Sequence, residues 1–516
     1  MTKQSPPRNA ALVRRNLILA GFAAFLALWP LLANVAPLQD QMDWVLQAKI
    51  IADPTNPQWQ AHYDVAIAPV PNLLGTLVIA ALAKVLPVFR AAAVAYAAYL
   101  VLFVIAYAYF VRADGKDRPA AELAGVVFAA NHFFLMGFFN FVLGLALAFL
   151  ALGILRRHKQ DTSPVRWLPF AVLKLLTYLS HFLTFALLGL AVLVWTVLRY
   201  RRDRRWAIWP ALSFLPSLAC LAWYVSERSS EFWFHYAFHN PLYYVWYKVG
   251  PWAVASSYYP LTPAPAVWIN ALLNAAAIAG IAWFILAGLR RKRFALSDPF
   301  VVTALLLFVI GLLTPTRIYE LLRPGQRLIF AGVLMLFATA TPSPMPTKRR
   351  QWLVTAAVAA LLAWNAVWWF QAERILAHDT RTIEAEIPPG AKMLILADSH
   401  FHFRENRSYR EKAIDPYSYP NSVNPLRYLP YHRVITAGGY LRALFGTGVV
   451  SVREIEPLPD VNRLWHLDDP DMAGAYTHLV ATGMAENLVE ISGRAAPLFA
   501  ETYRSERLLL MRRIAP

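Results

Sequence analysis

The sequence is poor in cysteine and in charged residues. Cys220 is the only cysteine among 516 residues, which excludes an intramolecular disulfide and a multi-cysteine metal site. Charged residues make up 16% of the chain against 58% hydrophobic residues, and the mean hydropathy is +0.41. Soluble globular enzymes carry more charge and fewer apolar residues than this. The composition therefore predicts an integral membrane protein.

The sequence also lacks the short motifs of nucleotide-driven and hydrolytic enzymes. It contains no G-x-x-x-x-G-K-S/T loop, no G-x-G-x-x-G after a strand, no H-E-x-x-H and no G-x-S-x-G. These absences count against an ATP-driven pump and against a nucleotide-sugar enzyme of the soluble type.

Long unbroken apolar runs fill the first 370 residues, which favours helical spans over the short alternating strands of a membrane barrel. A run at 71–88 is bounded by Pro71 and Pro87, and we expect it to lie along the outer surface. Eleven other runs are long enough to span, or become so with flanking residues: 17–36, 91–111, 120–135, 138–155, 167–179, 182–198, 206–225, 267–289, 300–314, 328–340 and 352–370.

The distribution of basic residues predicts how these spans are oriented. Lys and Arg number 49 against 31 Asp and Glu, which gives a formal net charge of +18. With 71–88 on the surface, the basic clusters at 112–118 and 156–166 both fall inside, as the positive-inside rule requires. This parity holds only if 167–179 and 182–198 are two helices. The N-terminus is then cytoplasmic, and the first run is an uncleaved anchor.

The composition becomes polar after residue 370, with strand-like runs at 392–397, 476–481 and 507–512. We therefore expect an α-helical polytopic membrane domain of about eleven transmembrane helices at 1–370, with external loops 37–90 and 226–265. A small α/β domain at 371–516 follows on the periplasmic or extracellular side.

The first external loop begins with two acids, Asp40 and Asp43, directly after the first span. Their D-x-x-D spacing puts both carboxylates on one face of a helical turn. Such a pair could hold a divalent cation, or act as a base and its orienting partner. The alternative is a helix N-cap with a first-turn acid. His62, further along the loop, shapes the loop or contacts a ligand.

Polar residues also mark two short external turns. His132 and Asn140 flank the first turn, and His181 forms the second, with Lys174 seven residues before it. Ionisable groups at this depth are costly and indicate a functional site. Each histidine is either a satisfied interfacial group or a contact to a phosphate or an acceptor. Lys174 either snorkels to the surface or faces a lipid phosphate.

The loop 226–265 is dense in aromatic residues. These form an interfacial belt, or they stack on sugar faces and pack along a lipid chain. His235 and His239 have a spacing that could hold zinc, but no third ligand is evident. The residues singled out in this loop are His235, Tyr236, His239, Tyr243, Tyr244 and Lys248.

Arg317, Arg323 and Arg327 lie in one short external loop, against the charge bias of the other loops. Guanidinium groups bind phosphate oxygens with two hydrogen bonds, so a phosphate-bearing ligand from the outer leaflet explains the exception. The alternative is an ion pair with Glu320 and contact with lipid headgroups.

Together these features resemble the GT-C superfamily of integral-membrane glycosyltransferases. The resemblance rests on the acids after the first span (Asp40, Asp43), the surface helix that follows them, the many spans, the late arginine loop and the external C-terminal domain. It implies a polyprenyl-phosphate-linked sugar as donor and inverting transfer outside the cytoplasm. Many members carry adjacent acids or a D-x-D-like pair, and this chain has D-x-x-D instead. The reaction demands no metal.

The resemblance also implies roles for the site residues, with the aspartate of the first loop acting as base on the acceptor hydroxyl. This role maps to Asp40, with Asp43 next. The expected donor-phosphate ligands are Arg317, Arg323, Arg327, Lys174 and His181. The expected acceptor and lipid contacts are His62, His132, Asn140, His235, Tyr236, His239, Tyr243, Tyr244 and Lys248.

The expected partners are the polyprenyl-phosphate-linked sugar, a glycan, lipid or protein acceptor, and membrane lipids, but no nucleic acid. The expected location is the bacterial cytoplasmic membrane. Two other functions stay open: an inactive scaffold or assembly protein with the same fold, and a transporter or flippase of a lipid-linked solute.

Overall fold

The computed structural model of the protein is mainly helical. It describes residues 8–38, 40–55, 57, 63–158, 164–200, 205–227, 234–235, 248–255, 264–315, 317–318, 321–340, 348–388, 391, 393–397, 450–452, 476–482 and 485–514. The helices are α1 (Arg8–Leu32), α2 (Gln41–Ala52), α3 (Leu74–Ala83), α4 (Val88–Arg112), α5 (Pro119–Val127), α6 (His132–Leu135), α7 (Phe139–Arg157), α8 (Pro164–Ser180), α9 (Phe182–Tyr200), α10 (Arg205–Leu212), α11 (Leu215–Ser226), α12 (Ala264–Arg290), α13 (Pro299–Leu313), α14 (Pro324–Thr339), α15 (Lys348–Glu386) and α16 (Ala485–Ala495). The strands are β1 (Tyr63–Val65), β2 (Phe234–His235), β3 (Arg317–Ile318), β4 (Leu321–Leu322), β5 (Met393–Ala397), β6 (Val450–Val452), β7 (His478–Thr482), β8 (Phe499–Arg504) and β9 (Leu508–Arg513).

Apolar helices form the membrane region. Within the described residues, seven helices are long and apolar enough to cross a membrane, and five shorter apolar helices accompany them. Each of the predicted spanning runs is mainly helical, in one helix or in two consecutive helices, because a segment in lipid must satisfy its backbone hydrogen bonds internally. The run 17–36 ends its helix early, at Leu32. The predicted polytopic helical fold is confirmed.

Two predicted spans are each divided into two helices, and one helix extends beyond the apolar run that predicted it. The run 120–135 is divided into α5 and α6, because the side chain of Asn131 accepts hydrogen bonds from the backbone N–H groups of Phe133 and Phe134 and so starts a new helix. The run 206–225 is divided into α10 and α11. Helix α15 has 39 residues and continues past residue 370 to Glu386.

The predicted separation of 167–179 from 182–198 is confirmed by α8 and α9. At their junction, Nδ1 of His181 accepts a hydrogen bond from the backbone N–H of Leu183 at 3.0 Å and caps the start of α9. Helix α3, inside the run 71–88, has only 10 residues, a length of about 15 Å. It is too short to cross a hydrocarbon core of about 30 Å.

Aromatic rings fill the centre of the helical region. Tyr107 of α4 donates its hydroxyl hydrogen to the carbonyl of Leu334 of α14 at 2.8 Å, so its hydroxyl group has a hydrogen-bond partner. Helices α13 and α14 approach closely at Gly332, where a Cβ atom would lie 2.9 Å from the carbonyl oxygen of Ala304. Helix α12 presents large apolar side chains outward, among them Trp268 at 71% exposure.

Charged residues near the ends of α4, α5 and α7 form an ion-pair cluster. Asp114 accepts hydrogen bonds from Arg118 and from Arg156, each at 2.7 Å, and Arg112 binds the buried carboxylate of Glu122 at 2.6 Å. Burial alone would raise the pKa of Asp114, but the hydrogen bonds from Arg118 and the charge of Arg156 lower it overall. The two basic clusters predicted to lie inside therefore meet at one end of the bundle.

The C-terminal strands form a sheet in the order β5-β7-β9-β8, in which β5 is parallel to β7 and the other pairs are antiparallel. All three predicted strand segments of the tail are present, as β5, β7 and β9. Helix α16 covers one face through Leu488 and Ile491. On the other face, Leu508 belongs to the same hydrophobic cluster as Ile383 of α15. The predicted small α/β region is confirmed.

Two short sheets connect segments that are far apart in the sequence. Strand β1, in the first external loop, pairs with β6 of the C-terminal region, with Asp64 opposite Ser451. Strands β2, β3 and β4 form a second sheet in which His235 lies opposite Arg317. The loop 226–265 thus meets the arginine loop through its backbone.

Candidate active site

Asp40 lies immediately before α2 and is held against the turn between α6 and α7. Its backbone N–H donates to the carbonyl of Met136 at 3.1 Å. One turn into α2, the indole nitrogen of Trp44 donates to the carbonyl of Gly137 at 2.7 Å. Asp40 occupies the N-cap position of α2, but its carboxylate makes no capping hydrogen bond to the helix.

Gly137 allows this close approach. Its φ is 77°, in the left-handed region that glycine tolerates. A Cβ atom at this position would lie 2.6 Å from the backbone nitrogen of Asp40. No other residue type fits here without displacing the start of α2.

The first of two arginine–histidine contacts lies beside this turn. Nη1 of Arg323 is 3.2 Å from Nε2 of His132 and 3.4 Å from the sulfur of Met136. Met136 also receives the N–H of Asp40, so the predicted base and a predicted phosphate ligand meet at one residue. His132 is only 1% exposed, and its Nδ1 atom has no hydrogen-bond partner in the described part of the chain.

The second contact lies one helical turn further along α14. Nη1 of Arg327 is 2.7 Å from Nε2 of His181, and both side chains are 5% exposed. The guanidinium also sits over the rings of Phe138 at 4.3 Å and Phe141 at 5.0 Å. Arg323 immediately precedes α14 and Arg327 lies in its first turn, with the backbone N–H of Arg327 donating to the carbonyl of Arg323 at 3.4 Å, so both pairs lie at the start of this helix.

The second pair has a hydrogen-bonding conflict that an anion would resolve. A neutral imidazole has one acceptor nitrogen, and in His181 the acceptor is Nδ1, which takes the N–H of Leu183. Nε2 must then carry the ring hydrogen and point it at a guanidinium donor of Arg327. With this tautomer neither of the two nitrogen atoms offers an acceptor to the other, and a phosphate oxygen bound beside the pair would accept from both.

Three other predicted site residues have structural hydrogen bonds. Asn140 accepts from the backbone N–H of Gly75 at 2.7 Å and donates to the carbonyl of Asn72 at 2.9 Å, which fastens the start of α3. Lys248 donates to the carbonyls of Gly311 and Thr314 at 2.8 Å and 2.6 Å, at the end of α13.

Lys174 is buried at the break between α10 and α11. It donates to the carbonyl of Pro210 at 2.5 Å and to the hydroxyl of Ser213 at 2.6 Å, and its ammonium lies over the rings of Phe170 and Phe214. The backbone N–H of Phe214 bonds to Ala211 instead, so Lys174 supplies a donor for the Pro210 carbonyl where the helix is broken.

The remaining predicted residues are described in part or not at all. Asp43 lies in α2, and the backbones of His235 and Arg317 pair in the small sheet, but their side chains are outside the described structure. The predicted residues His62, Tyr236, His239, Tyr243 and Tyr244 lie outside the described residues. Among the residues that are described, no group of three or more His, Cys, Asp and Glu could hold a metal ion.

Several contributors to the site were not predicted. The sulfur and carbonyl of Met136 join Asp40 to Arg323, and the rings of Phe138 and Phe141 flank Arg327. Phe138 and Phe141 belong to the predicted span 138–155, and Met136 lies in the turn between that span and 120–135. Gly137 in the same turn was the available signal, since an isolated glycine often marks a close backbone approach.

No protein-family model matches the chain, and no curated protein matches it either. Among solved structures, the chain is similar to ArnT from Cupriavidus metallidurans bound to undecaprenyl phosphate, with 12% identity, a TM-score of 0.54 and coverage of 99% of both chains. It is also similar to ArnT in the apo state, with 12% identity, a TM-score of 0.55 and coverage of 98% of this chain and 99% of ArnT. ArnT is a GT-C glycosyltransferase. The chain has the GT-C fold.

The GT-C resemblance expected from the sequence is therefore confirmed at the level of the fold, from the first helix through the C-terminal sheet. At 12% identity the chemistry has to be argued from the site itself.

Proposed function

We propose that the protein is a membrane glycosyltransferase that moves a sugar from a polyprenyl-phosphate carrier to an acceptor outside the cytoplasm. One observation carries the proposal: two arginine–histidine contacts at the start of α14, from Arg323 just before the helix and Arg327 in its first turn, lie beside the segment that holds Asp40. Transfer from a phosphate carrier needs cationic donors over the leaving phosphate and a base near the acceptor hydroxyl.

Arg323, Arg327 and His181 would bind the phosphate. An imidazole can accept a hydrogen bond from a guanidinium but supplies no negative charge, so a phosphate offers what the two histidines cannot. The converging donors of Arg327 and His181 favour an oxyanion at that point. ArnT, which shares the fold, has been solved with undecaprenyl phosphate bound, and this supports a carrier of the same class.

Asp40 would act as the base. In a single displacement the acceptor oxygen forms a bond to the anomeric carbon while the bond from that carbon to the phosphate oxygen breaks. The polyprenyl phosphate leaves with the electron pair, and the carboxylate of Asp40 takes the hydroxyl proton. The configuration at the anomeric carbon is inverted. Asp43, which follows in α2, would orient the acceptor or share a divalent cation with Asp40.

The loop 226–265 would contact the acceptor or the lipid. Pairing of β2 with β3 brings the backbone of this loop beside Arg317. Later in the same loop, Lys248 bonds to the end of α13. The aromatic residues predicted to stack on a sugar or a prenyl chain lie between these two anchors.

The proposed location is the bacterial cytoplasmic membrane, with the N-terminus inside and the C-terminal α/β region in the periplasm. The ion-pair cluster of Asp114, Arg118 and Arg156 then faces the cytoplasm, and Asp40 and Arg323 face outward. This orientation agrees with the positive-inside rule and with delivery of the donor in the outer leaflet.

The test is transfer of radiolabelled sugar from a panel of polyprenyl-phosphate sugars to total membrane extract by the purified full chain in nanodiscs. We expect Asp40→Asn to lower the rate by about 100-fold or more, the usual contribution of a general base. Asp53→Asn makes the same change at the other end of α2 and should leave the rate unchanged. Asp43→Asn reports whether the second acid takes part.

Two results would count against the proposal. Full activity of Asp40→Asn would remove the proposed base. Absence of transfer by the wild type from every donor would favour an inactive scaffold or a transporter, and flux measurements in proteoliposomes would separate these two.

A further inference from the structure

The end of α1 is fastened to α15 at two points. The indole nitrogen of Trp369 donates to the carbonyl of Trp29 at 3.2 Å. One turn later on α15, Oε1 of Glu373 accepts hydrogen bonds from the backbone N–H of Asn34 at 2.9 Å and from its side-chain amide at 3.1 Å. Asn34 belongs to the short connection that runs from α1 to Asp40.

Glu373 is built into this contact. It is 6% exposed, and a carboxylate with so little access to water is costly unless it accepts hydrogen bonds. The two donors both come from Asn34, so the buried charge is tied to one residue of the connection. Nothing in the sequence indicates this contact, because Glu373 follows the last apolar run and belongs to the polar tail.

Arg90, at the start of α4, completes the contact from the other side. Its guanidinium donates to the carbonyls of Leu31 and Ala33 at 3.1 Å and 3.2 Å, and to the side-chain oxygen of Asn34 at 3.3 Å. These carbonyls belong to the end of α1, where helix acceptors have no partners within the helix. The amide of Asn34 therefore bridges a cation on α4 and an anion on α15.

The connection is thus fixed at both ends. Asn34 is held by Glu373 and Arg90, and Asp40 is held by Met136. Between them, Leu38 is 2% exposed, so this stretch is packed against the bundle. Val35 and Ala36, at 7% exposure each, are buried as well, so a shift at Asn34 would be carried through these packed residues towards Asp40.

The helix that carries Glu373 also carries the C-terminal region. Further along α15, Ile383 packs in the same hydrophobic cluster as Leu508 of β9, and β6 pairs with β1 beside α2. The C-terminal region therefore contacts the first external loop through a strand and holds the other end of that loop through α15.

We propose that Glu373 is a positioning residue that sets the place of Asp40 by holding Asn34. This inference rests on the proposed function, in which Asp40 is the base. A displacement of about 1 Å at a reacting group can cost about 100-fold in rate, so loss of the contact should act on kcat and leave donor binding nearly intact.

The test compares Glu373→Ala with Glu373→Gln in the full chain. We expect Glu373→Ala to lower kcat by about 10- to 100-fold, with the KM for the donor changed by less than about threefold. Glu373→Gln keeps an oxygen that can accept from Asn34 and should recover most of kcat. Asn34→Ala removes the side-chain bonds to Glu373 and Arg90 but keeps the backbone N–H that donates to Glu373. We therefore expect a smaller loss of kcat in the same direction, which gives a second test if Glu373→Ala folds poorly.

A second readout needs no activity. In a background of Cys220→Ser with Leu38→Cys, the rate of labelling by a membrane-impermeant maleimide reports how well the connection is packed. Glu373→Ala should speed labelling by about 10-fold or more, as expected when a buried segment opens locally. Trp364→Phe removes the bond from Trp364 to Asn270 of α12, at 2.7 Å on the same helix, and should change neither labelling nor kcat.

The results separate this inference from the proposed function. Unchanged labelling and kcat in both Glu373→Ala and Asn34→Ala would overturn the positioning role, whatever the wild type catalyses. If the wild-type chain transfers no sugar but Glu373→Ala still speeds labelling, the contact that holds the connection is supported and the role of Asp40 as a base is rejected. An equal loss of kcat in Glu373→Gln and Glu373→Ala, without faster labelling, would also overturn the inference.

Discussion

Replacing Arg327 with methionine separates a ligand-binding role from a structural one. Methionine keeps the apolar stem of the side chain, but it removes the charge, every donor and the guanidinium that lies over Phe138 and Phe141. Arg327 is 5% exposed, and its Nη1 lies 2.7 Å from Nε2 of His181. If its purpose is to bind phosphate, the variant should lose affinity for the carrier without losing stability.

The expected size follows from the contacts. A hydrogen bond to a charged group contributes about 1.5–3 kcal/mol, so binding of polyprenyl phosphate should weaken by about 10- to 150-fold. The protein without ligand no longer buries a guanidinium, whose desolvation is costly. The Tm of the ligand-free variant should therefore equal or exceed that of the wild type.

The assay is binding of radiolabelled polyprenyl phosphate to the purified protein in nanodiscs, with Tm followed by intrinsic fluorescence. Arg156→Met is a matched control, because Arg156 is also 5% exposed but binds Asp114 at the other end of the bundle. That variant should lower Tm and leave the Kd unchanged. An unchanged Kd together with a lower Tm in Arg327→Met would refute the assignment of Arg327 to the phosphate.

Three further predictions test other parts of the structure. Lys174→Met should lower Tm, because the Pro210 carbonyl and the Ser213 hydroxyl both lose the donor that Lys174 supplies and the carbonyl keeps only Ser213. The Kd for polyprenyl phosphate should stay the same, and a large rise in Kd would instead make Lys174 a phosphate ligand. Gly137→Ala should abolish transfer, because its Cβ meets Asp40, whereas Gly115→Ala, with a similar φ of 76° and nothing within 4 Å, should only lower Tm. The lowered pKa of Asp114 means that the ion-pair cluster stabilises the fold above the ordinary carboxyl pKa and loses this contribution as pH falls through the lowered value. An acid scan of Tm should therefore fall more steeply below about pH 4 in the wild type than in Asp114→Asn, and parallel curves would contradict the role of Asp114.

The helices of the membrane region could be predicted from hydropathy because lipid leaves the backbone no other partners than itself. The start of α6 could also be predicted, since asparagine is a favoured N-cap residue and Asn131 precedes an apolar segment. The extent of α15 could not be predicted, because the apolar run ends near Phe370 while the helix continues through His378 and Asp379 to Glu386. Such a polar extension is stabilised by packing on the sheet, which periodicity in one segment does not reveal.

The residue types of the site could be predicted, but not their pairing. Arginine and histidine at the outer boundary were identifiable because charges there are costly. The contact of His132 with Arg323 joins residues that are 191 positions apart, and the contact of His181 with Arg327 joins residues that are 146 positions apart. Both depend on how the helices pack. Lys174 illustrates the same limit. Its position seven residues before His181 allowed either snorkelling or a phosphate contact, whereas its ammonium donates to the carbonyl of Pro210.

The most direct test of a sugar transferase acting through Asp40 is acceptor-dependent release of polyprenyl phosphate, with the configuration of the new glycosidic bond determined by NMR. The wild type should release the carrier only when acceptor is present and should invert the anomeric carbon, and Asp40→Asn should release little. Release without acceptor, retention of configuration, or equal release by Asp40→Asn would contradict a single displacement driven by this base.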